Sequence, residues 1–481
     1  MSWAEIYPWR APQPGGPVIR QVYDQVRAAI HEGALKPGGR LPSSRDLALR
    51  LGVARASVVA AYDQLLAEGY AEGRKGSGTY VCGDLSGVID LPAGPPPAET
   101  PVTSGAGIEA SMGFVDLQSA TVAFSNGRTL MDARALDAWS RSTRRALRTL
   151  GPADFGYGDP AGALRLRGAV ADYLRAARGV VCAPDQVILT SGAQQAVDLT
   201  LRVLLRPGDK VWLEDPGYQP TWYAASAAGA RTFGVPVDRS GLVVSAGVAM
   251  APDARLAFLT PSHQYPLGVA LSMGRRLELV AWAREAGAWI LEDDYAAEFR
   301  YAGAPLPALQ GLKGGDRVIY VGTLNKALFP GLRLGYLVAP RELVGPLTAT
   351  RRMVDRQPPT LTQAITLDFI ESGQFAAHIR RRRIAYKAQR DALADALERR
   401  LGHALEVDVP DQGMHLIAYF RDGRSDVEAE AAAHACGVTA RAIAPLYHAA
   451  PPRAGLLLGF TGFPASAMDA GVARLAGALG A

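Results

Sequence analysis

The chain has little of several things, and each shortage narrows what it can be. Only 3 of its 481 residues are cysteine. Cys82, Cys182 and Cys436 lie far apart with no metal-ligand spacing, which argues against a disulfide scaffold or a metal site and predicts reduced thiols. No apolar run reaches the roughly 18 residues that a membrane helix needs. The opening MSWAEIYPWRAP has neither the basic region nor the apolar core of a signal peptide, so the expected compartment is the cytoplasm. Charge of one sign is also scarce, at +5 net from 51 Lys and Arg against 46 Asp and Glu. Apolar residues make up 48 % and charged residues 20 %, an ordinary globular balance, and the length suggests two or three domains.

The small excess of positive charge is unevenly spread. Residues 1–82 hold 10 Lys and Arg against 7 Asp and Glu, a bias that fits a small nucleic-acid-binding module. Residues 83–113 contain 5 prolines, 6 glycines and no lysine or arginine, and read as a linker that is extended around Pro95, Pro96 and Pro97. The expected division is a module over 1–82, a linker over 83–124 and a large part over 125–481, with a C-terminal subdomain over 345–481. In the large part, amphipathic runs at 163–178, 194–205, 274–286 and 361–400 alternate with the β-rich runs QVILT, KVWLED, RLAFLT, AWILEDD and VIYVGT. Strand and helix taking turns predict an α/β fold, a mostly parallel sheet with helices on both faces.

In the small module, VIRQVYDQVRAAIHEG is amphipathic and Gly33 stops it. Ser43 with Asp46 makes a capping-box-like start for a second helix, and Gly52-Val53 a tight turn before a third. Two helices joined by such a turn suggest a helix-turn-helix. YAEGRKGSGTYVC then reads as a hairpin, completing a winged helix. Arg55 and Ser57 fall at the N-terminal end of the recognition helix, Arg45 at the start of the helix before it, and Lys75 and Gly76 at the wing tip. The bland alternative is a helical domain with surface arginines. LKPGGRLPSSRDLALRLGVARASVVAAYDQLLAEGYAEGRKGSGTYV resembles the GntR-type winged helix along its whole length. The resemblance implies double-stranded operator DNA as partner, with Arg45, Arg55, Lys75 and Gly76 as DNA contacts. Ala54 stands where that family has Ser or Thr, so the recognition helix lacks its usual cap.

In the large part, the apolar run DRVIYVGTL leads to Lys326, with Arg333 seven residues on. A core strand that ends on a lysine predicts a buried amine, costly unless paired or neutralised. A dry amine is the nucleophile for a Schiff base. An aldehyde cofactor with a phosphate and a ring nitrogen makes further demands, and the chain has a candidate for each. AWILEDDYAAEFRY ends a strand on acids, a carboxylate for the ring nitrogen or simply a solvated loop. VILTSGAQQAVDL is strand, Gly-containing turn and helix, a phosphate seat or a plain Ser191–Gln194 capping box. Tyr218 follows a turn, as ring cover or as packing.

The order of these signals resembles the fold-type I aminotransferases across residues 125–481. The resemblance implies pyridoxal 5'-phosphate (PLP) as cofactor, Lys326 as the Schiff-base lysine and Asp293 as partner of the ring nitrogen. It also implies Tyr295 as hydrogen bonder to the ring 3'-oxygen, Tyr218 as stacking aromatic, and Gly192, Ala193, Gln194, Thr323 and Arg333 as the phosphate cup. Tyr157 matches a tyrosine that reaches the phosphate from the partner subunit. In PSHQYPLG either Gln264 or Tyr265 takes the place of a family asparagine, with Gln264 the expected cofactor contact. Asn325 and Ala193 depart from the family pattern. No metal is expected.

The two halves together resemble the MocR/GabR regulators. That implies a head-to-tail, PLP-dependent homodimeric transcription factor responding to PLP or to a small amine or amino-acid effector, at most slow in half-transamination. A working aminotransferase with an appended DNA-binding module is the alternative. The arginine that holds a substrate carboxylate is expected near AGLLLGF, where the chain has Leu457 and Leu458; Arg441 and Arg453 lie nearby without a motif. That gap, with Pro220 and Pro445 at two further positions, favours an effector without a carboxylate, or PLP itself. The arginines at 380–383 are read as a solvated helix face.

Overall fold

The computed structural model describes residues 7–13, 15–74, 76–83, 123–129, 131–303 and 306–480. Lys75 and nearly all of the linker, including Pro95, Pro96 and Pro97, lie outside the described residues. The chain divides into two compact units, Met1–Val102 and Thr103–Ala481.

The first unit holds three helices, α1 (Val18–His31), α2 (Ser44–Leu51) and α3 (Arg55–Ala67), then an antiparallel hairpin of β1 (Ala71–Arg74) and β2 (Gly78–Val81). Val22 and Val26 of α1, Leu47 and Leu51 of α2, and Val58 and Leu65 of α3 are buried in one cluster. Helical spacing puts each pair on one face, so three amphipathic stripes close a single small core. Ser43 Oγ accepts from the Asp46 amide at 3.1 Å and caps α2. Gly52 ends it at φ +68°, the left-handed conformation that a glycine adopts without a Cβ penalty. Ala54 precedes α3 with no side-chain cap.

The second unit is built on an eight-stranded sheet. In chain order its strands are β3 (Val187–Thr190), β4 (Lys210–Asp215), β5 (Arg231–Asp238), β6 (Gly241–Leu242), β7 (Leu256–Leu259), β8 (Trp289–Asp293), β9 (Val318–Thr323) and β10 (Gly335–Val338). Across the sheet they run β3-β10-β9-β8-β7-β4-β5-β6. β5–β4–β7–β8–β9 is parallel throughout, and β10 lies antiparallel between β9 and β3. Side chains alternate between the two faces: Ile319, Val321, Leu291 and Phe258 join one core, while Val318, Ile290 and Trp212 join a second and Tyr320 a third on the other face. β5 contains Gly234 and Pro236, breakers that hide it in the sequence; only the two-residue β6 lies outside it, and a proline is tolerated so near an edge.

A second, antiparallel sheet orders β11 (Leu405–Asp408), β12 (His415–Phe420), β14 (Gly455–Gly459) and β13 (Arg441–Ala442). The run expected over 361–400 is two helices, Thr360–Glu371 and Gln374–Leu401, because Gly373 takes φ +73°. The four consecutive arginines are not one solvated face. Arg382 is buried against Asp132, and Arg383 donates to the Glu298 carbonyl at 2.9 Å. Among the described residues no helix is long and apolar enough to cross a membrane.

Candidate cofactor cavity and DNA-facing helix

The C-terminal ends of the parallel strands converge on one edge of the large sheet, where open α/β sheets place their ligands. The antiparallel β10 begins at that same edge: Gly335 pairs with both Thr190 and Thr323. The loop before β10 is thereby delivered beside the ends of β3 and β9. A cavity of about 370 Å³ opens there, lined by Ala193, Gln194, Tyr218, Asp293, Tyr295, Thr323, Lys326 and Arg333 among others. Residues far apart in the sequence meet in one space.

Each side chain is placed by its element. Asp293 is the last residue of β8 and is 5 % exposed. Lys326 does not end the strand: β9 stops at Thr323, whose Oγ1 accepts from the Asn325 amide at 3.2 Å, and a one-turn helix Leu324–Ala327 carries the lysine. It is half-buried rather than buried, since its face opens on the cavity. Arg333 is exposed towards the cavity at φ +50°, a left-handed conformation that costs a non-glycine residue about 1–2 kcal/mol. Asn325 braces that turn, its Oδ1 accepting from the Leu334 amide at 2.9 Å. The expected serine's replacement therefore supports the arginine loop.

Gly192 caps helix Ala193–Leu204 at φ +112°, and a Cβ there would lie 2.9 Å from Asn325 Nδ2 and 3.6 Å from Arg333 Nη1. The plain capping box is not formed: the Ser191 amide donates to Gln195 Oε1 at 2.7 Å, leaving Ala193 and Gln194 against the cavity. A helix N-terminus beside a guanidinium favours an anion.

Two polar atoms test whether PLP fits. Asp293 Oδ1 and Tyr295 Oη are buried, belong to residues that line the cavity, and have no hydrogen-bond partner among the described residues. Burial, then the neighbouring Asp294 carboxylate, pushes Asp293 up to about 7, partly offset by Lys326. Unpaired buried groups are costly unless a ligand completes them. A ring nitrogen and a ring hydroxyl would do so, and the anion seat lies on the same wall. The residues fit the cofactor.

Behind Asp293, Asp294 Oδ2 accepts from Arg178 Nε at 2.7 Å and from Tyr320 Oη at 2.7 Å. That pair is buried and anchors the strand end.

Gln264 is a correction. It is 1 % exposed and turned inward, its Nε2 donating to the Pro216 carbonyl at 2.8 Å and the Tyr265 carbonyl at 2.7 Å. It ties two loops together, and Tyr265 lines the cavity instead. Thr260 positions that tyrosine, its Oγ1 accepting from the Tyr265 amide at 3.0 Å while donating to Glu214 at 2.7 Å. Burial raises Glu214 to about 8. Tyr157 does not line the cavity of its own chain; it is 83 % exposed with Arg356 over its ring at 4.7 Å. Sequence reasoning missed Asn126, Gly127, Thr260, Met414 and Arg441 as lining residues. Only Arg441 had been named, and it lacked a motif.

In the first unit, Arg45, Arg55 and Gly76 are exposed and Ser57 is half-buried at the start of α3. Arg55 Nε donates to Ser44 Oγ at 3.2 Å, linking the starts of α2 and α3. Both arginines thus stand at adjoining helix N-termini.

Two known families match the chain: aminotransferase class I and II over residues 121–446, and the bacterial regulatory proteins of the gntR family over 18–81. A probable rhizopine catabolism regulatory protein of Rhizobium meliloti is 38 % identical over 460 residues, covering 95 % of this chain and 93 % of that one. An HTH-type pyridoxine biosynthesis transcriptional regulator of Corynebacterium glutamicum is 36 % identical over 385 residues, 78 % of each chain. Among solved structures, the alpha-aminoadipate aminotransferase of Thermus thermophilus, complexed with N-(5'-phosphopyridoxyl)-L-leucine, is similar with TM-score 0.71. It is 27 % identical and covers 78 % of this chain and 97 % of that one.

Proposed function

Because the chain belongs to the class I and II aminotransferase family and carries a gntR-family module, the pairing of MocR/GabR-type regulators, we propose how this PLP-dependent, DNA-binding transcriptional regulator works. Its large unit senses PLP or a small amine or amino acid, and its winged helix reads a double-stranded operator. The observation that carries the sensing half is the pair of unpartnered buried atoms, Asp293 Oδ1 and Tyr295 Oη, in the cavity that also holds Lys326.

When bound, the cofactor supplies an aldehyde that couples to amines and a ring that withdraws electrons. Lys326 offers the amine. Asp293 would accept from the protonated ring nitrogen, Tyr295 would donate to the ring oxygen and Tyr218 would cover the ring. The N-terminus of helix Ala193–Leu204, Gly192, Gln194, Thr323 and Arg333 would hold the phosphate. Lys326 would be the group with which an effector amine competes for the cofactor, on the cavity wall that also carries Asp293. Arg45, Arg55, Ser57, Lys75 and Gly76 contact DNA.

We assign Tyr157 to the cavity of a second copy in a head-to-tail homodimer. Phe155, Tyr157 and Leu361 are exposed and line one surface groove, a patch suited to a partner. The expected compartment is the cytoplasm.

A ligand shifts DNA affinity only through its differential affinity for two conformations, about 1–3 kcal/mol or 5- to 150-fold. The test measures operator affinity with and without PLP and amines, alongside turnover with a 2-oxo acid acceptor. Lys326→Ala should lose visible absorption and borohydride trapping together with the ligand response. Rapid multiple turnover with unchanged DNA binding would make the protein a working aminotransferase instead, the second reading, which Arg441 in the cavity favours.

A further inference from the structure

The helix Ala133–Thr149 of the large unit carries five arginines against one aspartate, a net +4 on 17 residues of a chain whose whole net charge is +5. Ala135, Ala138, Ser142 and Ala146 form its buried face, and these small side chains let it pack on the helix Thr360–Glu371. Arg134, Arg141, Arg144, Arg145 and Arg148 are all exposed on the other side. Helical geometry puts the five within an arc of about 100°, along about 21 Å of axis.

The protein offsets only part of that charge. Arg141 pairs with Asp137 one turn before it, and Arg145 Nη2 donates to Asp368 of the neighbouring helix at 2.6 Å. Both pairs are exposed and worth little. Glu371, at the end of that neighbouring helix, pairs with Arg165 instead at 3.1 Å. Arg134, Arg144 and Arg148 make no ion pair among the described residues. Arg141 with Arg145, and Arg144 with Arg148, are like charges four residues apart, which destabilise a helix unless an anion lies over them. All five cations are arginine, whose planar fork takes a phosphate through two hydrogen bonds. A duplex presents one phosphate charge per about 1.7 Å of axis, roughly a dozen along the stripe.

We propose that this helix is a second DNA contact, independent of base sequence, on the duplex that flanks the operator. This rests on the DNA-binding reading of the first unit. The winged helix selects the site, and Arg134, Arg144 and Arg148 hold the phosphate backbone beside it. Chain length alone permits both on one duplex, since residues 83–113 fully extended measure about 100 Å.

The test uses the full-length, PLP-loaded protein with two duplexes, the footprinted operator alone and the operator with about two helical turns of unrelated sequence on each side. Fluorescence anisotropy from about 50 to 200 mM salt gives the affinity and its salt slope. Wild type should bind the longer duplex at least about tenfold more tightly at the low-salt end. Its log–log salt slope there should be steeper by about 2 to 3, at about 0.9 per phosphate neutralised. Arg134→Gln, Arg144→Gln and Arg148→Gln combined should bring both differences close to zero and leave the short duplex as in wild type. Lysine at the same three positions should keep most of the slope. Arg206→Gln, Arg231→Gln and Arg239→Gln combined, an equal loss of charge at exposed positions elsewhere on the unit, should keep both differences. No gain from the flanks in wild type, a gain that survives glutamine at 134, 144 and 148, or one lost equally in the control variant overturns the assignment. Stripe-dependent binding to phosphatidylserine vesicles without a flank gain would give the surface to a membrane instead. A wild type that does not prefer the short operator to random duplex overturns the winged-helix reading itself, an outcome read without the flanks.

Discussion

Replacing Asp293 by asparagine should make the cofactor-free protein more stable, and by an amount that grows with pH. The carboxyl is 5 % exposed at the end of β8, and burial with the nearby Asp294 raises it from 3.8 to about 7, against the opposing pull of Lys326. Tyr295 and Glu214 also face it and feel its charge. For an acid whose folded value is raised, the unfolded chain releases its proton first. Stability is therefore unaffected below about pH 4, falls as pH rises from about 4 to 7, and is flat above. The full loss is roughly three pKa units, or about 4 kcal/mol at 1.4 kcal/mol each. An asparagine side chain cannot ionise and escapes that loss. The stability difference between Asp293→Asn and wild type should thus rise from near zero around pH 4 to at most about 4 kcal/mol at pH 8, roughly half of it by pH 5.5. Urea denaturation of the full chain without cofactor, followed by tryptophan fluorescence at several pH values, measures it. With PLP saturating, the order should reverse, because a protonated ring nitrogen pairs with the carboxylate and adds binding free energy that the variant forgoes. A stability difference that stays constant from pH 5 to pH 8 would refute the assignment of a strained, ligand-seeking carboxylate.

Gly192→Ala should weaken PLP binding at least about tenfold, because φ +112° and a Cβ 2.9 Å from Asn325 force the anion seat apart; an unchanged spectroscopic titration would place the phosphate elsewhere. Arg178→Met should cost about 3–5 kcal/mol in chemical denaturation, since it strips a buried Asp294 of its cation, and a loss below about 1 kcal/mol would show that the pair is dispensable. Arg55→Ala should lower operator affinity by about 1–3 kcal/mol with little effect on random duplex, and equal operator binding by wild type and an Arg45, Arg55 double alanine variant would sink the winged-helix assignment.

Much of this was legible in the sequence because it depends on neighbours along the chain. Helical spacing in α1, α2 and α3 announced a three-helix core, and Ser43 with Asp46 caps α2 as its spacing requires. Buried parallel strands are short apolar runs, so Asp293, Ser191 and Thr323 could be placed at strand ends from the runs before them. What failed involved contacts between distant segments. Gln264 and Tyr265 are adjacent, and which one faces the cavity depends on the Pro216 carbonyl 48 residues away that holds the glutamine. The burial of Arg382 depends on Asp132, 250 positions earlier. Arg333 reaches the anion seat because β10 inserts antiparallel between β9 and β3, an order that no local pattern encodes. Arg441 meets Tyr265 across 176 residues, a contact that no local pattern encodes. The sequence alone marked out the two modules and the order of the chemical groups, and singled out Lys326 as the candidate amine, since motifs and local periodicity carry these. Which side chains share the cavity was decided by strand order and loop packing, because those are properties of the folded surface and not of any stretch of chain.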